Sequence, residues 1–281
     1  MPPSLRRLPS RSSSSDVTIS VIIPTAGKVC GDESLLRQAL DAVEHADEVI
    51  VVVTDNEITD SALEDAEWSG AHIIHVDGDF NFSRAVNAAA EIASGNWLML
   101  LNDDVSLPAS TPNNWLAALA RKRADVKGVC LISPDGWYVE HAGVWFEGPG
   151  GLPSHRGWHT PASVYYPDGP ALAVTGAAMM IRRSTFDALG GFDEDFPLNY
   201  GDVDFCLRAT KLGYRTFVYN SIRLAHREAS TRGVFNPIPE FRLLVDHHEV
   251  LFKELGVDAD PDLALHHLTH QGLLQAPSFT P

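Results

Sequence analysis

Four short apolar runs, each of strand length, most constrain the fold that this chain can adopt. They are TISVIIP at 18–24, EVIVVVT at 48–54, AHIIHV at 71–76 and NWLMLLN at 96–102. Their apolar residues are continuous rather than alternating, which is typical of parallel strands that helices cover on both faces. Segments with helical spacing or high alanine content, at 33–45 and 82–95, lie between them. The pattern therefore predicts an α/β fold with a mostly parallel central sheet.

The rest of the chain combines strands and helices in a less regular order. A segment around 113–123 predicts a helix, VKGVCLIS predicts a strand, and ALAVTGAAMMIRR at 171–183 predicts a strand that contains a glycine. GDVDFCLRATKLG at 201–213 predicts an amphipathic helix, and YRTFVY predicts a late strand. Residues 147–170, rich in Gly, Pro and Trp, predict a loop. No internal repeat is visible, and 281 residues fit one large domain with extensions.

Two terminal segments differ from this central part. Residues 1–16 are rich in Ser, Pro and Arg, a composition typical of disorder. Residues 241–255 predict a helix that packs against the domain through one apolar face, formed by Phe241, Leu244, Val245, Leu251, Phe252 and Leu255. We therefore expect a disordered segment at 1–16, a domain at 17–235, and a C-terminal helical extension and tail at 236–281.

Composition argues against several classes of function. The net charge of −16 disfavours sequence-independent binding to nucleic acid, which needs clustered Lys and Arg, and docking on anionic lipid. No apolar stretch approaches the roughly 20 residues of a membrane span, so we expect no integral membrane segment. No apolar run follows the N-terminal arginines, so we expect no secretory signal. Three cysteines without metal-ligand spacing favour a reduced, cytoplasmic chain.

Polar residues lie directly beyond three of the predicted strands. Thr25 follows the first strand, Asp55 the second and the Asp103–Asp104 doublet the fourth. Since ligands of parallel sheets bind at the carboxyl ends of the strands, these residues predict a site there. The doublet suits Mg²⁺ or Mn²⁺, although it also fits a solvated turn, and Asp55 fits either a ribose contact or an Asx turn. Neither GxGxxG nor a P-loop occurs, so a diphosphate needs another partner, such as a metal.

Two later segments carry side chains that suit catalysis or metal binding. Asp202 and Asp204 open a predicted helix, and their spacing points them about 200° apart, so both cannot face one site. Either the helix N-terminus presents a carboxylate as a general base, or these residues simply cap the helix. His226 could complete a metal shell beside Arg227 and Arg232, although a single histidine is also common on a surface.

Taken in order, these segments resemble the family 2 glycosyltransferases. VIIPTAG is similar to that family's opening strand, and VVVTDNEITD is similar to its nucleotide-binding segment. FNFSRAVNAAAEIASGNWLMLLNDDV resembles the segment that ends in its D-x-D metal motif, here Asn102-Asp103-Asp104. VTGAAMMIRRSTFDALGGFDEDF, YGDVDFCLRATKLGYR and AHREASTRG resemble its acceptor-side segment, base motif and late histidine loop. The resemblance spans about residues 17–233 and is strongest to the branch that builds bacterial surface polysaccharides, rhamnosyltransferases included.

The resemblance implies a GT-A fold, with a Rossmann-like nucleotide-binding half and an acceptor-binding half. It implies that Asp202 is the catalytic base and that Asp104 and His226 bind a divalent cation, Mn²⁺ or Mg²⁺. Arg227 and Arg232 would contact the diphosphate. The residues that it assigns to the nucleotide sugar are Pro24, Thr25, Asp55, Arg84, Asn102, Asp103, Gly176 and Ala177.

Three features depart from the family's pattern. Asn102 stands at the first position of D-x-D, which leaves Asp104 as the principal metal ligand. Gly201 precedes the base where the family often has an acidic residue or Asn. Asn56 and Glu57 replace the usual small Gly-Ser pair, so the identity of the nucleotide stays open.

The expected function is an inverting, metal-dependent transfer from a UDP- or dTDP-linked sugar to a hydroxyl of a glycan or glycolipid, in bacterial surface polysaccharide or glycoconjugate synthesis. One alternative is a sugar nucleotidyltransferase, although the loop TAGKVCGDE lacks the Gly-rich basic pattern usual in that class. Another is a non-catalytic nucleotide-sugar-binding domain. A lipid-linked acceptor would bring this cytoplasmic chain peripherally to the inner membrane face.

Overall fold

A computed structural model describes residues 17–25, 29–30, 33–54, 60–227 and 236–270 of the chain. The predicted disordered segment at 1–16 therefore lies outside the described residues, as do Asp55 and Arg232. Among the described helices, none is both long and apolar enough to cross a membrane.

The N-terminal half contains the predicted alternation of strands and helices. Its strands are β1 (Ile19–Thr25), β2 (Val29–Cys30), β3 (Glu33–Ser34), β4 (Glu48–Thr54), β5 (His72–Val76), β6 (Trp97–Leu101) and β7 (Val105–Ser106). Its helices are α1 (Leu35–Ala42), α2 (Asp60–Ser69) and α3 (Phe82–Ile92). Strand β1 lies between β4 and β6 and is parallel to both, and β5 adds a further parallel strand beside β4.

The C-terminal half completes the sheet with strands of both directions. Its strands are β8 (Val126–Ile132), β9 (Tyr138–His141), β10 (Val144–Phe146), β11 (Pro153–His155), β12 (Thr160–Pro161), β13 (Gly169–Pro170), β14 (Ala178–Arg182) and β15 (Thr216–His226). Its helices are α4 (Trp115–Ala120), α5 (Arg183–Leu189), α6 (Gly201–Lys211), α7 (Ile238–Leu255) and α8 (Pro261–His270). Strand β14 is antiparallel to β6 and to β8 and so joins the halves. The main strand order is β12-β9-β8-β14-β6-β1-β4-β5.

Both faces of the central strands are buried, as their continuous apolar sequences predict. Every residue of β1 is buried. Ile22 belongs to a core cluster that includes Ala89 of α3, whereas Val21 and Ile23 belong to a second cluster that includes Leu36 of α1. Each fully buried Ile or Val stabilises the fold by about 1.5–3 kcal/mol relative to exposure. The mixed α/β architecture with a mostly parallel N-terminal sheet is confirmed.

The C-terminal half differs from its sequence-based prediction in two segments. The strand predicted at 171–183 is confined to β14, because the backbone amide of Gly176 donates to the Asp202 carboxylate instead of continuing the ladder. The loop predicted at 147–170 contains β11, which forms a local hairpin with β10, and β12 and β13, which pair with the more distant strands β9 and β15. Local sequence alone gives no sign of such pairing.

Helix α7 packs on the domain through most of its predicted apolar face. Phe241, Leu244, Leu251 and Phe252 are buried in the same cluster as Ile22. Leu255 is the exception, since it is 39% exposed where α7 ends at the left-handed residue Gly256. The helix is therefore part of the core, although its sequence separates it from the other elements.

Candidate active site

A cleft of about 840 Å³ opens beyond the carboxyl ends of β1 and β6. Its lining includes seven of the residues assigned by resemblance to the site, which come from five separate parts of the chain: Pro24, Arg84, Asn102, Asp103, Gly176, Ala177 and Asp202. Thr25, Asp104 and His226, although described, are not among the residues that line it. The predicted site residues thus fall into a group in the cleft and a group beside it.

The wall formed by β1 and β6 holds its polar groups in fixed positions. The Thr25 hydroxyl donates to Asp103 Oδ2 at 2.6 Å, and both residues are buried. The backbone amide of Asn102 donates to the carbonyl of Ala177 at 2.9 Å, which ties the end of β6 to the loop before β14. These contacts aim Asn102 and Asp103 into the cleft from a rigid strand end.

Asp104 and His226 form the pair predicted to bind a metal. His226 Nε2 lies 3.3 Å from Asp104 Oδ1, and the two side chains are 10% and 2% exposed. Val105, next to Asp104, pairs with His226 across β7 and β15, and the backbone amide of Arg227 donates to the Asp104 carbonyl. The described residues include no group of three or more His, Cys, Asp or Glu that could hold a metal. Two protein ligands would leave most coordination positions to substrate phosphates and water.

Asp202 lies in the first turn of α6, and two backbone amides orient its carboxylate. Gly176 donates to Oδ2 at 2.7 Å and Val203 donates to Oδ1 at 2.8 Å. A larger residue at position 176 would be sterically crowded, because a Cβ there would lie 3.0 Å from the Phe82 ring. Since each carboxylate oxygen has two lone pairs, Asp202 can still accept a hydrogen bond from a ligand hydroxyl.

The residue before this turn has a strained backbone. Tyr200 has a φ of 60°, in the left-handed region that non-glycine residues rarely adopt. Its ring packs against Phe241 of α7, with centroids 5.9 Å apart. Strain of this kind costs about 1–3 kcal/mol and persists only where the surroundings enforce it. The α7 helix supplies part of that enforcement at Tyr200.

Glu240 of α7 holds the loop that leads to Asp202, and the sequence did not reveal it. Its Oε2 accepts the backbone amides of Leu198 at 3.2 Å and Asn199 at 2.7 Å. Its Oε1 accepts the side-chain amide of Asn199 at 2.9 Å. Leu198 and Asn199 both line the cleft. The only available signal was an acidic residue in the first turn of a helix, which normally indicates capping.

Asp204 points away from the cleft, as its spacing from Asp202 predicts. It is fully buried and accepts hydrogen bonds from Arg208 Nε at 2.7 Å and from His248 Nε2 at 2.8 Å. Burial by itself raises the pKa of Asp204, but the hydrogen bonds and charges of His248 and Arg208 outweigh it and lower that pKa. Asp204 therefore fastens α6 to α7, and the buried His248 has a structural role in that contact.

Arg84 is placed to meet an anionic group in the cleft. It lies in the first turn of α3, where its backbone amide donates to the side chain of the N-cap residue Asn81 at 2.9 Å. One terminal nitrogen donates to the Asp79 carbonyl. Its Nε is buried and has no hydrogen-bond partner among the described residues. A buried donor of this kind is costly unless a ligand satisfies it.

Two histidines near the site were not predicted from the sequence. His155 lines the cleft, and the His141 ring packs against it edge-on with centroids 4.7 Å apart. Burial, followed by the charges of His155 and His226, lowers the pKa of His141 well below its ordinary value. His141 is therefore a neutral imidazole in the wall between His155 and His226.

Solved structures with the same fold include several glycosyltransferases. The structure of "GalNAc-T7 with UDP, GalNAc and Mn2+" aligns with a TM-score of 0.61 and 15% identity, over 83% of this chain and 48% of that one. The mannosyltransferase PcManGT from Pyrobaculum calidifontis, in complex with GDP-Man and Mn²⁺, aligns with a TM-score of 0.52 and 18% identity, over 94% and 71%. These likenesses show the predicted GT-A fold.

Relatives of known sequence are longer or comparable proteins. The "O-antigen biosynthesis protein RfbC" of Myxococcus xanthus is 30% identical over 238 residues, which cover 79% of this chain and 18% of that protein. The "N-acetylglucosaminyl-diphospho-decaprenol L-rhamnosyltransferase" of Mycobacterium tuberculosis is 24% identical over 217 residues, which cover 66% and 68%. This chain therefore spans less than a fifth of the first relative.

The family assignment follows from the part of the chain that carries the cleft. The family model described as "Glycosyl transferase family 2" matches residues 20–190, which is more than half of the chain. That range contains both strands of the rigid wall and the loop before β14. The chain belongs to the family 2 glycosyltransferases.

Proposed function

We propose that this chain transfers a sugar from a nucleoside diphosphate sugar to an acceptor hydroxyl, with inversion at the anomeric carbon. The observation that carries the proposal is the position of Asp202, whose carboxylate lies in the same cleft as Asn102, Asp103 and Arg84. One cleft thus presents a base and, on another segment, groups suited to a nucleotide sugar. That separation is what a single displacement needs, because base and leaving group act on opposite faces of the sugar.

The donor side of the proposal rests on charge and hydrogen bonding. Arg84 offers a buried, unpartnered Nε, and guanidinium groups bind phosphate oxygens well. Asn102 and Asp103 offer oxygens and an amide to ribose or sugar hydroxyls. Two of the solved structures with the same fold are complexes with UDP and with GDP-Man, which supports a nucleoside diphosphate donor of the same class. Asp55, Arg227 and Arg232 stay predictions for the same ligand, with UDP or dTDP as the expected nucleotide.

The acceptor side rests on the geometry of Asp202. Amides of Gly176 and Val203 fix the carboxylate of Asp202 in the lining of the cleft, and each of its oxygens has a lone pair left for a further hydrogen bond. We infer that Asp202 takes the proton of the acceptor hydroxyl as that oxygen attacks the anomeric carbon. A positioned base of this kind accelerates transfer by about 10²–10⁴-fold.

Asp104 and His226 fit a divalent cation chemically, because a buried carboxylate lies beside an imidazole and both groups are suitable ligands for such an ion. When bound, Mn²⁺ or Mg²⁺ would stabilise the negative charge of the leaving diphosphate. Mn²⁺ in the two structural neighbours supports this choice of ion.

The acceptor class is proposed from the relatives. Their names refer to O-antigen biosynthesis and to a rhamnosyl transfer onto a diphospho-decaprenol. By analogy we propose a glycan or glycolipid acceptor in surface polysaccharide synthesis, reached peripherally at the cytoplasmic membrane face.

The proposal is tested by thermal shift of the full chain with UDP-, dTDP- and GDP-sugars, each with Mn²⁺ and with EDTA. A specific donor at a hundred times its Kd stabilises the protein by about 2.7 kcal/mol. We expect one nucleotide class to stabilise only with Mn²⁺, and slow release of nucleoside diphosphate from that donor. Pyrophosphate release from a nucleoside triphosphate and a sugar phosphate would instead identify a nucleotidyltransferase. Binding without any turnover would indicate a non-catalytic domain.

A further inference from the structure

Three exposed aromatic side chains form a continuous surface that the proposed mechanism does not use. We call this surface, made of Tyr138, Trp158 and His159, the aromatic rim. Trp158 is 55% exposed and Tyr138 is 48% exposed. The His159 ring lies between them, with its centroid 4.3 Å from that of Trp158 and 6.1 Å from that of Tyr138, stacked on the latter. Large aromatic rings held together in solvent indicate a binding surface rather than core.

The backbone under the aromatic rim is strained to hold this arrangement. His159 has a φ of 58°, and Tyr200 is the only other non-glycine residue of the described chain with a positive φ. The His159 amide donates to the Val139 carbonyl at 2.8 Å, and Thr160 donates through both its amide and its hydroxyl to Gly157. Strained residues concentrate at functional sites, and Tyr200 precedes the proposed base by two positions. The second strained residue therefore points to a second site.

The aromatic rim lies at the same end of the sheet as the proposed active site. Ile132, at the carboxyl end of β8, pairs with Ala225 on one side and with Val139 on the other. Ala225 precedes the metal-ligand candidate His226, and Val139 follows Tyr138. The rim thus occupies the β9–β12 edge of the main sheet, on the side opposite to β1, β4 and β5.

A ribbon of two short antiparallel pairings, β10 with β11 and β9 with β12, leads from the cleft to the aromatic rim, and a turn at residues 156–159 interrupts it. Val144 and His155, which pair between β10 and β11, both line the cleft. From there the paired chains continue to Tyr138 and His159 at the far end, and the Trp158 amide donates to the His155 carbonyl at 3.2 Å. Six residues separate Val144 from Tyr138, so this path is at most about 20 Å long. That length is within reach of a short oligosaccharide that starts in the cleft.

The chemistry of the surface favours a neutral, flat ligand. Among the described residues near the rim, Asp135 and Arg156 carry exposed charges, and these have opposite signs. Anionic lipid or nucleic acid would need several cations here. A pyranose ring, in contrast, presents an apolar face of C–H groups that packs on an aromatic ring, while its hydroxyls stay in water.

We propose that the aromatic rim binds a sugar ring of the acceptor glycan, at a subsite separate from the hydroxyl that receives the transferred sugar. The proposal rests on the proposed glycosyl transfer, since it needs an acceptor that is itself a carbohydrate. Trp158 provides the largest stacking face, and His159 holds the rings of Trp158 and Tyr138 in line. The ribbon between His155 and Trp158 sets the separation between the acceptor hydroxyl and this subsite.

The test measures sugar binding by the full chain in the absence of a donor, so that it does not depend on catalysis. The probes are cellobiose, N,N′-diacetylchitobiose and the methyl glycosides of rhamnose, mannose and galactose, each up to about 50 mM, since one weak stack gives millimolar affinity. Saturation-transfer difference NMR and tryptophan fluorescence report the contact. We expect at least one probe to bind, and Trp158→Ala to weaken it roughly tenfold or more, which equals about 1.4 kcal/mol.

Two further variants separate a binding role from a structural one. Trp68→Ala is the matched control, because Trp68 is 75% exposed on α2 and packs under Arg37 in the other half of the molecule. His159→Gly removes the ring while glycine accepts the positive φ, so we expect weaker sugar binding with thermal stability unchanged or raised. Loss of binding together with loss of stability in both rim variants would indicate a structural role and overturn the proposal.

The remaining outcomes are equally decisive. Absence of binding by every probe, or binding that Trp68→Ala and Trp158→Ala affect equally, would overturn the proposal. Co-sedimentation with phosphatidylcholine or phosphatidylcholine–phosphatidylglycerol vesicles that depends on Trp158, without sugar binding, would identify a membrane contact instead. Metal-dependent donor binding is measured separately with each variant. If the wild type shows no metal-dependent donor binding, the proposed function fails. If the wild type binds the donor but no sugar binds at the aromatic rim, only the rim proposal fails.

Discussion

The two walls of the cleft are held in place by different kinds of contact. The strand wall, Pro24 with Asn102 and Asp103, stands at the ends of β1 and β6, where parallel backbone ladders run on both sides of β1. The loop wall, residues 196–203, has no strand and depends on side chains from distant helices. Glu240 of α7 accepts three hydrogen bonds from it, and Ser83 of α3 donates to the Phe196 carbonyl at 2.7 Å.

This difference indicates which residues control donor affinity and which control turnover. A backbone ladder tolerates the loss of one side chain, so a change in the strand wall removes a ligand contact and little else. The loop wall depends on a few hydrogen bonds, so a change far from the ligand can move Asp202. Because small displacements of a catalytic group lower the rate strongly, we expect the loop wall to control turnover and the strand wall to control donor affinity.

The largest expected effect is on the loop wall itself. Asp202→Asn keeps the shape of the side chain and can still accept an amide hydrogen bond, but it removes the proposed base. We expect transfer to fall by about a thousandfold, within the range of general base catalysis, while the Kd of the donor stays within about twofold. Initial rates and donor titrations of both proteins measure this. Retention of most of the activity would refute the assignment of Asp202 as the base.

The next largest effect is expected at the candidate metal ligands Asp104 and His226, which lie beside the strand wall. Asp104→Ala removes the principal candidate ligand, so metal-dependent donor affinity should fall on the order of a hundredfold, equal to about 2.7 kcal/mol. His226→Ala should give a smaller loss. Asp246→Ala, an exposed carboxylate on α7, is the matched control. Calorimetric titration with Mn²⁺ and with EDTA measures the effect, and equal affinity in both conditions would contradict the metal role.

A smaller effect on turnover is expected from Glu240, which touches no ligand in this scheme. Glu240→Ala frees two backbone amides and the Asn199 side chain, and it should lower kcat about tenfold and stability by about 1–3 kcal/mol. Donor affinity should not change. Glu240→Gln keeps one acceptor oxygen and should recover most of kcat, while Glu254→Ala, an exposed glutamate on the same helix, should have no effect. A rise in donor KM without a fall in kcat would show that the loop wall does not control turnover.

The same difference explains how much the sequence could predict. Local patterns identified β1, β4 and β6, because parallel strands buried on both faces are continuous apolar runs, and they also identified β5, although it is an edge strand on which His72 and His75 are exposed. The placement of Thr25 and Asp103 at one edge of the sheet follows from those strand ends, whereas Pro24 and Asn102 were assigned to the site by the family resemblance. Glu240 could not be found in this way, because its partners are 41 and 42 residues away and its type and position resemble an ordinary helix start.

The aromatic rim and the β9–β12 edge were also missed for a physical reason. Strands β11, β12 and β13 have only two or three residues each, and β12 and β13 pair with strands that are not their neighbours in sequence. A Gly-, Pro- and Trp-rich composition predicts a loop at such positions, since period-two alternation needs longer strands to be visible. Only the positions of Tyr138, Trp158 and His159 in the fold reveal that they form a surface.

Lys127 offers a reference far from both walls, because it lies near the start of β8, at the opposite end of the sheet. Its side chain is fully buried, donates to the carbonyls of Leu119 and Ala120, and packs 3.5 Å above the Trp97 ring. Burial, assisted by the charge of Arg182 and opposed by that of Asp125, lowers the pKa of Lys127 from 10.5 to about 7. Changes here should alter stability and leave transfer unaffected.

Lys127→Met is therefore expected to have the smallest effect on transfer and a measurable effect on stability. Between pH 7 and pH 10.5 the unfolded chain binds a proton at Lys127 that the folded chain does not, so the free energy of unfolding rises with pH. This gain in the free energy of unfolding, relative to its value near pH 7, is complete above pH 10.5 and is lost as the pH falls towards 7. We expect the stability difference between wild type and Lys127→Met, from urea unfolding at each pH, to increase in favour of the wild type by a few kcal/mol, on the order of 1.4 kcal/mol per pH unit at most. Lys122→Met, which removes a half-exposed lysine, is the matched control. A flat profile for Lys127→Met would mean that Lys127 keeps its proton in the folded protein throughout this range, held by the two carbonyls and the Trp97 ring.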